Sequence, residues 1–119
     1  MLEILRQQGN VVEVKATGKL THDDYEQKLV PTLEAIISTH GKVRVLFNMG
    51  QEFYGWEPAA LWDDAKFGVQ HAHDFCRCAV VGGPRWVEWA TKVAALLMSG
   101  EVKTFPEDQL AQAQEWVAQ

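Results

Sequence analysis

Short apolar runs rich in branched side chains alternate with stretches of helical spacing, and that alternation narrows the fold more than any other feature. The runs are KVRVLFNM at 42–49, bounded by Gly41 and Gly50, FCRCAVVGG at 75–83 and VKTF at 102–105. Apolar runs of this kind suit strands covered on both faces, as in a parallel sheet. Helical character follows at Pro58 to about Ala72, Pro84 to Met98 and Glu107 to Val117, each with a proline at or just before its first turn. Ahead of these, Ile4 and Leu5 mark a short first strand. Val12, Val14 and Ala16 alternate with Glu13, Lys15 and Thr17 in a second, and Gly9-Asn10 joins the two as a hairpin. Thr21 and Asp24 resemble a capping pair, and Tyr25, Leu29, Leu33 and Ile36 then recur at helical spacing. This predicts a helix from near His22, with a kink or short break at Pro31, which lacks a backbone donor. The order is ββαβαβαβα, an α/β chain whose strand-helix-strand units favour right-handed crossovers and a mostly parallel sheet. The 119 residues, 47% of them hydrophobic, read as a single domain over 1–119 without linker, repeat or low-complexity segment.

Charge and residue usage exclude several functions. The net charge is −5 and no block of consecutive lysines or arginines occurs, so the long-range field repels phosphate backbones and no nucleic acid is expected as a partner. MLEILRQQGN has no apolar run of signal-peptide length, and no stretch of ~20 apolar residues is available to span a bilayer. That points to a cytoplasmic protein. Cys76 and Cys78, two apart in an extended run, point the same way without bond-forming geometry and are expected as packed, reduced thiols, half of a structural zinc set at most. Ser38 and Ser99 stand at helix ends with no histidine or carboxylate at a suggestive spacing. His71 and His73 would lie roughly 200° apart on a helix, on opposite sides. The pairs Asp23-Asp24 and Asp63-Asp64 fall early in helices, where carboxylates suit the dipole, and His40 falls at a last turn as a cap or core residue. No metal, no cofactor and no enzymatic activity are expected.

The anomaly is a surplus of apolar surface. On the 84–98 helix the apolar residues, Trp86 and Trp89 among them, spread over roughly 200°, whereas a helix on one sheet needs about 100°. Glu88, Thr91 and Lys92 fill the remainder. The surplus meets a neighbouring helix, a second subunit, a bound apolar molecule or a membrane surface. In the preceding helix Trp62 joins the apolar face with Leu61, Ala65 and Val69, while Phe67 projects from the other side among Asp63, Asp64 and His71. In NMGQEFYGWEP, 48–58, Phe53, Tyr54 and Trp56 share a loop containing two glycines, and either fold back onto the body or serve a binding surface. The stretch GGPR at 82–85 is an ordinary strand-to-helix turn, or else one whose amides near Arg85 hold an anionic head group.

GKLTHDDYE, ALWDDAKFG and VVGGPRWVEWATKV, taken with the strand order, resemble the SpoIIAA-like family, a branch of the STAS and CRAL-TRIO fold group; the similarity runs over nearly the whole chain. The resemblance implies a mixed five-stranded sheet with helices packed around it. In the STAS regulators a serine or threonine near the start of the second helix is phosphorylated to switch binding to a kinase-like partner. Residues 48–60 here contain neither, so the switch is not expected, although partner binding through the same surface survives without it. CRAL-TRIO relatives enclose lipids or other apolar molecules, and some SpoIIAA-like members look able to open, close and approach membranes.

The leading expectation is therefore a non-catalytic binding domain for a small apolar or lipid-like molecule. Phe53, Tyr54, Trp56, Trp62, Phe67, Trp86 and Trp89 would supply apolar contact, and Arg85 with the Gly83 amide would hold a polar head. Membrane contact would be peripheral, weak and carried by aromatic insertion, given the acidic net charge. The rival expectation is a STAS-type protein-interaction module without the phospho-switch, with the surplus surface forming a homodimer or partner interface.

Overall fold

In the computed structural model the described residues are 1–57, 59, 66, 70, 71, 73–83 and 100–119, with the side chains at 50, 51, 52, 54 and 56 outside the description. They form one five-stranded sheet in the order β1-β2-β3-β4-β5. The strands are β1 (Leu2–Gln8), β2 (Val11–Leu20), β3 (Val43–Trp56), β4 (Phe75–Val81) and β5 (Glu101–Phe105). β1 runs antiparallel to β2, and each later neighbour pairs in parallel, so the sheet is mixed as expected. Of the expected 58–72 helix, Ala59, Lys66 and Gln70 are helical and exposed. The rest of it, except His71, lies outside the described residues, as does the whole 84–98 helix.

The hairpin turns at Gly9, whose φ of 59° falls where an L side chain is strained; among the described residues only glycines take a positive φ. Helical backbone begins at His22, as the sequence predicts. The expected irregularity near Pro31 takes the form of a π-helical stretch, Asp24–Leu29, running into α1 (Val30–His40) with Pro31 in its first turn. Proline has no N–H to give to the preceding turn, and the backbone widens just ahead of it. Tyr25, Leu29, Leu33 and Ile36, the predicted apolar stripe, are all buried. They pack with Val12, Val14 and Ala16 from β2 and Val43 and Val45 from β3 in the larger core. α1 ends at Gly41, whose left-handed backbone lets its N–H reach the Ile37 carbonyl at 2.7 Å. His40 is exposed there and is not a core residue.

The opposite face is covered by α2 (Leu110–Ala118), entered through a 3-10 turn at Glu107–Gln109. Ala113 and Val117 pack on Leu46, Ala79, Val81 and Phe105 in a smaller core. Polar contacts do the rest of the docking. Arg44 and Arg77, register partners on β3 and β4, donate to the last carbonyls of α2: Arg44 Nη1 to Val117 O at 3.2 Å and Arg77 Nη1 to Trp116 O at 2.7 Å. Cations suit that end of a helix, where carbonyls lack intrahelical donors. The Arg77 guanidinium also lies 4.9 Å from the centre of the Trp116 ring. Further along, Gln114 donates to the buried Glu13 carboxylate at 2.8 Å.

Bulges adjust the ladders at several points. In β4, Cys76 is the extra residue between Phe75, opposite Val43, and Arg77, opposite Arg44. The strict alternation that would set Cys76 and Cys78 on one side is thereby interrupted. Phe75 and Cys78 share the larger core, Cys76 is half-buried, and neither cysteine is in a disulfide.

Three variants test this packing. A Cβ on Gly100 would overlap the Phe75 carbonyl oxygen and lie 2.8 Å from that of Cys76, so Gly100→Ala should lower the unfolding free energy by about 2–3 kcal/mol in urea titration. Arg77→Ala should cost about 2 kcal/mol by removing a hydrogen bond to a helix end and a ring contact together. Arg77→Lys should recover only part of that, because an ammonium cannot stack on the indole and reach the carbonyl with a planar fork.

Candidate binding site at the carboxyl edge

In open α/β sheets ligands gather beyond the carboxyl ends of the parallel strands. Here those ends are Leu20, Trp56, Val81 and Phe105. β3 and β4 stay paired only as far as Asn48 and Val81, whereas β3 continues along β2 until Trp56 meets Leu20. Among the described residues, the second half of β3 pairs with β2 alone. Three extra residues are taken up on β3: two between Ala16↔Met49 and Gly18↔Phe53, and one between Gly18↔Phe53 and Lys19↔Gly55. Gly18, at φ 60°, and Gly55, at φ 140°, sit at these shifts.

The stretch expected as an aromatic loop is therefore strand as far as Trp56. The two glycines expected within a loop mark bulges in a long ladder instead. Phe53 folds back and is 1% exposed in the larger core, so it is a packing residue. Tyr54 and Trp56 belong to β3 by backbone, with side chains outside the description. Trp62, Phe67, Arg85, Trp86 and Trp89 lie outside the described residues altogether. Gly83 is described: it follows β4, is partly exposed and has φ 87°. Beside it, Gly82 gives its N–H to the Phe105 carbonyl at 2.9 Å, and a Cβ there would meet the Met49 carbonyl oxygen at 3.3 Å. The diglycine turn thus lets β4 leave the sheet close against the backbones of β3 and β5.

Next to this edge, the first helical turn is closed by side chains. The Thr21 N–H and hydroxyl donate to Asp24 Oδ2 at 2.9 and 3.1 Å, and the Asp24 N–H donates to Thr21 Oγ1 at 3.2 Å. That is a reciprocal capping box. The next amide, His22 N–H, donates to Glu57 Oε1 at 3.1 Å, while the Glu57 N–H bonds Leu20 O at 2.8 Å. Glu57 has no local sequence signal, because it acts 35 residues away from its partner. Burial alone would raise the Asp24 carboxyl; the Thr21 backbone and hydroxyl bonds, the Met1 ammonium and Lys28 outweigh it and hold the carboxyl below its usual range.

Among the other candidate chemistry, His71 Nδ1 lies 2.8 Å from Asp74 Oδ2, in the turn that enters β4. Asp74 there also accepts the Val43 N–H through its carbonyl at 2.8 Å. This pair sits at the amino end of the sheet, opposite the edge above, and fixes a turn. Ser38 is exposed on α1. No group of three or more histidine, cysteine or acidic side chains that could hold a metal ion occurs among the described residues. No helix among them is long and apolar enough to cross a membrane.

The comparisons with known proteins agree with this architecture. The SpoIIAA-like family model matches residues 11–118. The chain belongs to the SpoIIAA-like family. It is also similar to an uncharacterised protein of the DUF3478 family from Shewanella loihica PV-4, whose crystal structure has a SpoIIAA-like fold. The two are 39% identical, with a TM-score of 0.73, over 98% of this chain and 92% of that one. No curated protein matches the chain. The fold and family expected from the sequence both hold for this SpoIIAA-like domain.

Because the folded-state Asp24 carboxyl lies below its unfolded value, its stabilisation is fully present above the ordinary carboxylate range. It is lost as the pH falls through the lowered value. Asp24→Asn should therefore cost about 1 kcal/mol near neutral pH, the usual worth of a cap. Urea midpoints measured from about pH 7 down to about pH 3 should show the gap between parent and variant closing as the carboxyl protonates.

Proposed function

We propose that this SpoIIAA-like chain is a non-catalytic binding domain that holds a small apolar or lipid-like molecule at the carboxyl edge of its sheet. The observation that carries the reading is that β4 ends at Val81, opposite Asn48, while β3 continues to Trp56 along β2. An aromatic-rich segment is thereby led out to the edge where the Gly82-Gly83 turn stands. In this reading Tyr54, Trp56, Trp62, Phe67, Trp86 and Trp89 supply apolar contact, Arg85 and the Gly83 amide meet a polar head, and Phe53 supports the strand from the core. The acidic balance of the chain makes any membrane contact peripheral and weak, through aromatic insertion. Catalysis has no part in it: the His71–Asp74 pair stands at the far end of the sheet and the first-turn carboxylates are engaged in capping.

Native mass spectrometry of the protein as purified should find a retained apolar molecule, or tryptophan fluorescence should shift when a long-chain fatty acid is titrated. Trp89→Ala should weaken that titration about tenfold, the worth of one large apolar contact. Flotation with neutral liposomes should recover the parent protein, and recovery should fall in Phe67→Ala and Trp89→Ala. A parent protein with no adduct, no fluorescence response and no flotation would remove the proposal.

A further inference from the structure

Among the described residues the exposed large apolar side chains are Met1, Ile4 and Leu5, all on or beside β1. That strand is exposed along its length after Leu2. It is also the outer strand of the sheet, bonded to β2 on one side, so its far edge offers backbone N–H and C=O groups to another strand. The Lys28 ammonium takes the Leu2 carbonyl at 3.2 Å and closes one end of that edge. What remains is the window from Glu3 onward.

A bulge sets the charges in this window. Glu3 stands opposite Lys15 and Ile4 opposite Val14, but Arg6 stands opposite Glu13, leaving Leu5 as the extra residue. Lys15 and Glu13 share a face of β2, so Glu3 and Arg6 share a face of β1. In an unbroken strand two residues three apart would point to opposite faces.

We propose that β1 is a self-association edge: two copies of the chain pair β1 against β1, antiparallel, about a twofold axis between Ile4 and Leu5. In that register Glu3 of each copy faces Arg6 of the other, on the same face, and Ile4 faces Leu5. A parallel, in-register pairing would set like charges side by side. A bulge usually blunts an edge strand; this one brings acid and base into a single self-complementary row. The contact is isologous, so it uses up the edge in both copies and stops at the dimer. The window is short, so the dimer is weak and concentration-dependent.

Sedimentation velocity from low to high protein concentration tests the proposal on the full chain. The parent should shift from monomer to dimer. Glu3→Arg and Arg6→Glu should each raise the dissociation constant about tenfold, because each puts like charges opposite one another twice per dimer. Mixed in equal amounts, the two variants should associate again, since each then supplies the charge the other lacks. Leu5→Lys, at an exposed position, should abolish the dimer without loss of core. A parent that stays monomeric at every concentration, single variants that associate as the parent does, or a mixture no tighter than its components would overturn it.

Discussion

The parallel ladder between β2 and β3 is the contact on which the other features depend. It runs from Val11↔Arg44 to Leu20↔Trp56, well past the point where β4 ends opposite Asn48. Its first half buries Val12, Val14, Ala16, Val43 and Val45 under α1, which is the apolar area that makes the domain worth folding. Its second half sets the place of Phe53 in the core. By ending at Leu20 and Trp56 it also puts Glu57 within reach of the first helical amide. The start of the helix and the burial of an aromatic residue thus share one cause.

The two faces of the sheet are held by different chemistry. Under α1 the contact is apolar throughout, and a continuous stripe of large side chains suffices. α2 is only nine residues long and fully buries just Ala113 and Val117. So small an apolar contact gives little orientation. Arg44, Arg77 and the Gln114–Glu13 bond supply it, two at the helix end and one along its side. Such polar contacts add modest net stability and fix geometry closely, because a buried carboxylate or an uncapped helix end left without its partner is costly.

How much was legible follows from the range of each interaction. The period-2 alternation of Val12, Val14 and Ala16 and the helical spacing of Tyr25, Leu29, Leu33 and Ile36 are local, and both gave the right faces. So did the Thr21–Asp24 cap, which spans three residues. The segment 48–56 misled because Gly50 and Gly55 interrupt alternation. A bulged strand and a glycine-containing loop look alike until the partner strand is known. The arginine pair was illegible for a related reason. Arg44 and Arg77 each sit alone in an apolar run and come together only through the β3–β4 register, with their acceptors more than thirty residues away.

The candidate site was legible in composition, and its construction was not, which follows from the strand order. A doubly wound sheet reverses direction at a switch point and leaves a crevice there, so the order of its strands alone locates the ligand. In this sheet the order rises steadily from β1 to β5, and the described strands contain no such reversal. A site at the proposed carboxyl edge would then rest on a strand that outruns its neighbour, as β3 does beyond Asn48 where β4 ends, and on a turn close against that strand, as Gly82 is beside the Met49 carbonyl. Both devices depend on register rather than on residue type. Insertions or deletions within 49–56 should consequently disturb the edge more than substitutions of its side chains, because a one-residue slip in a ladder moves every later residue to the other face.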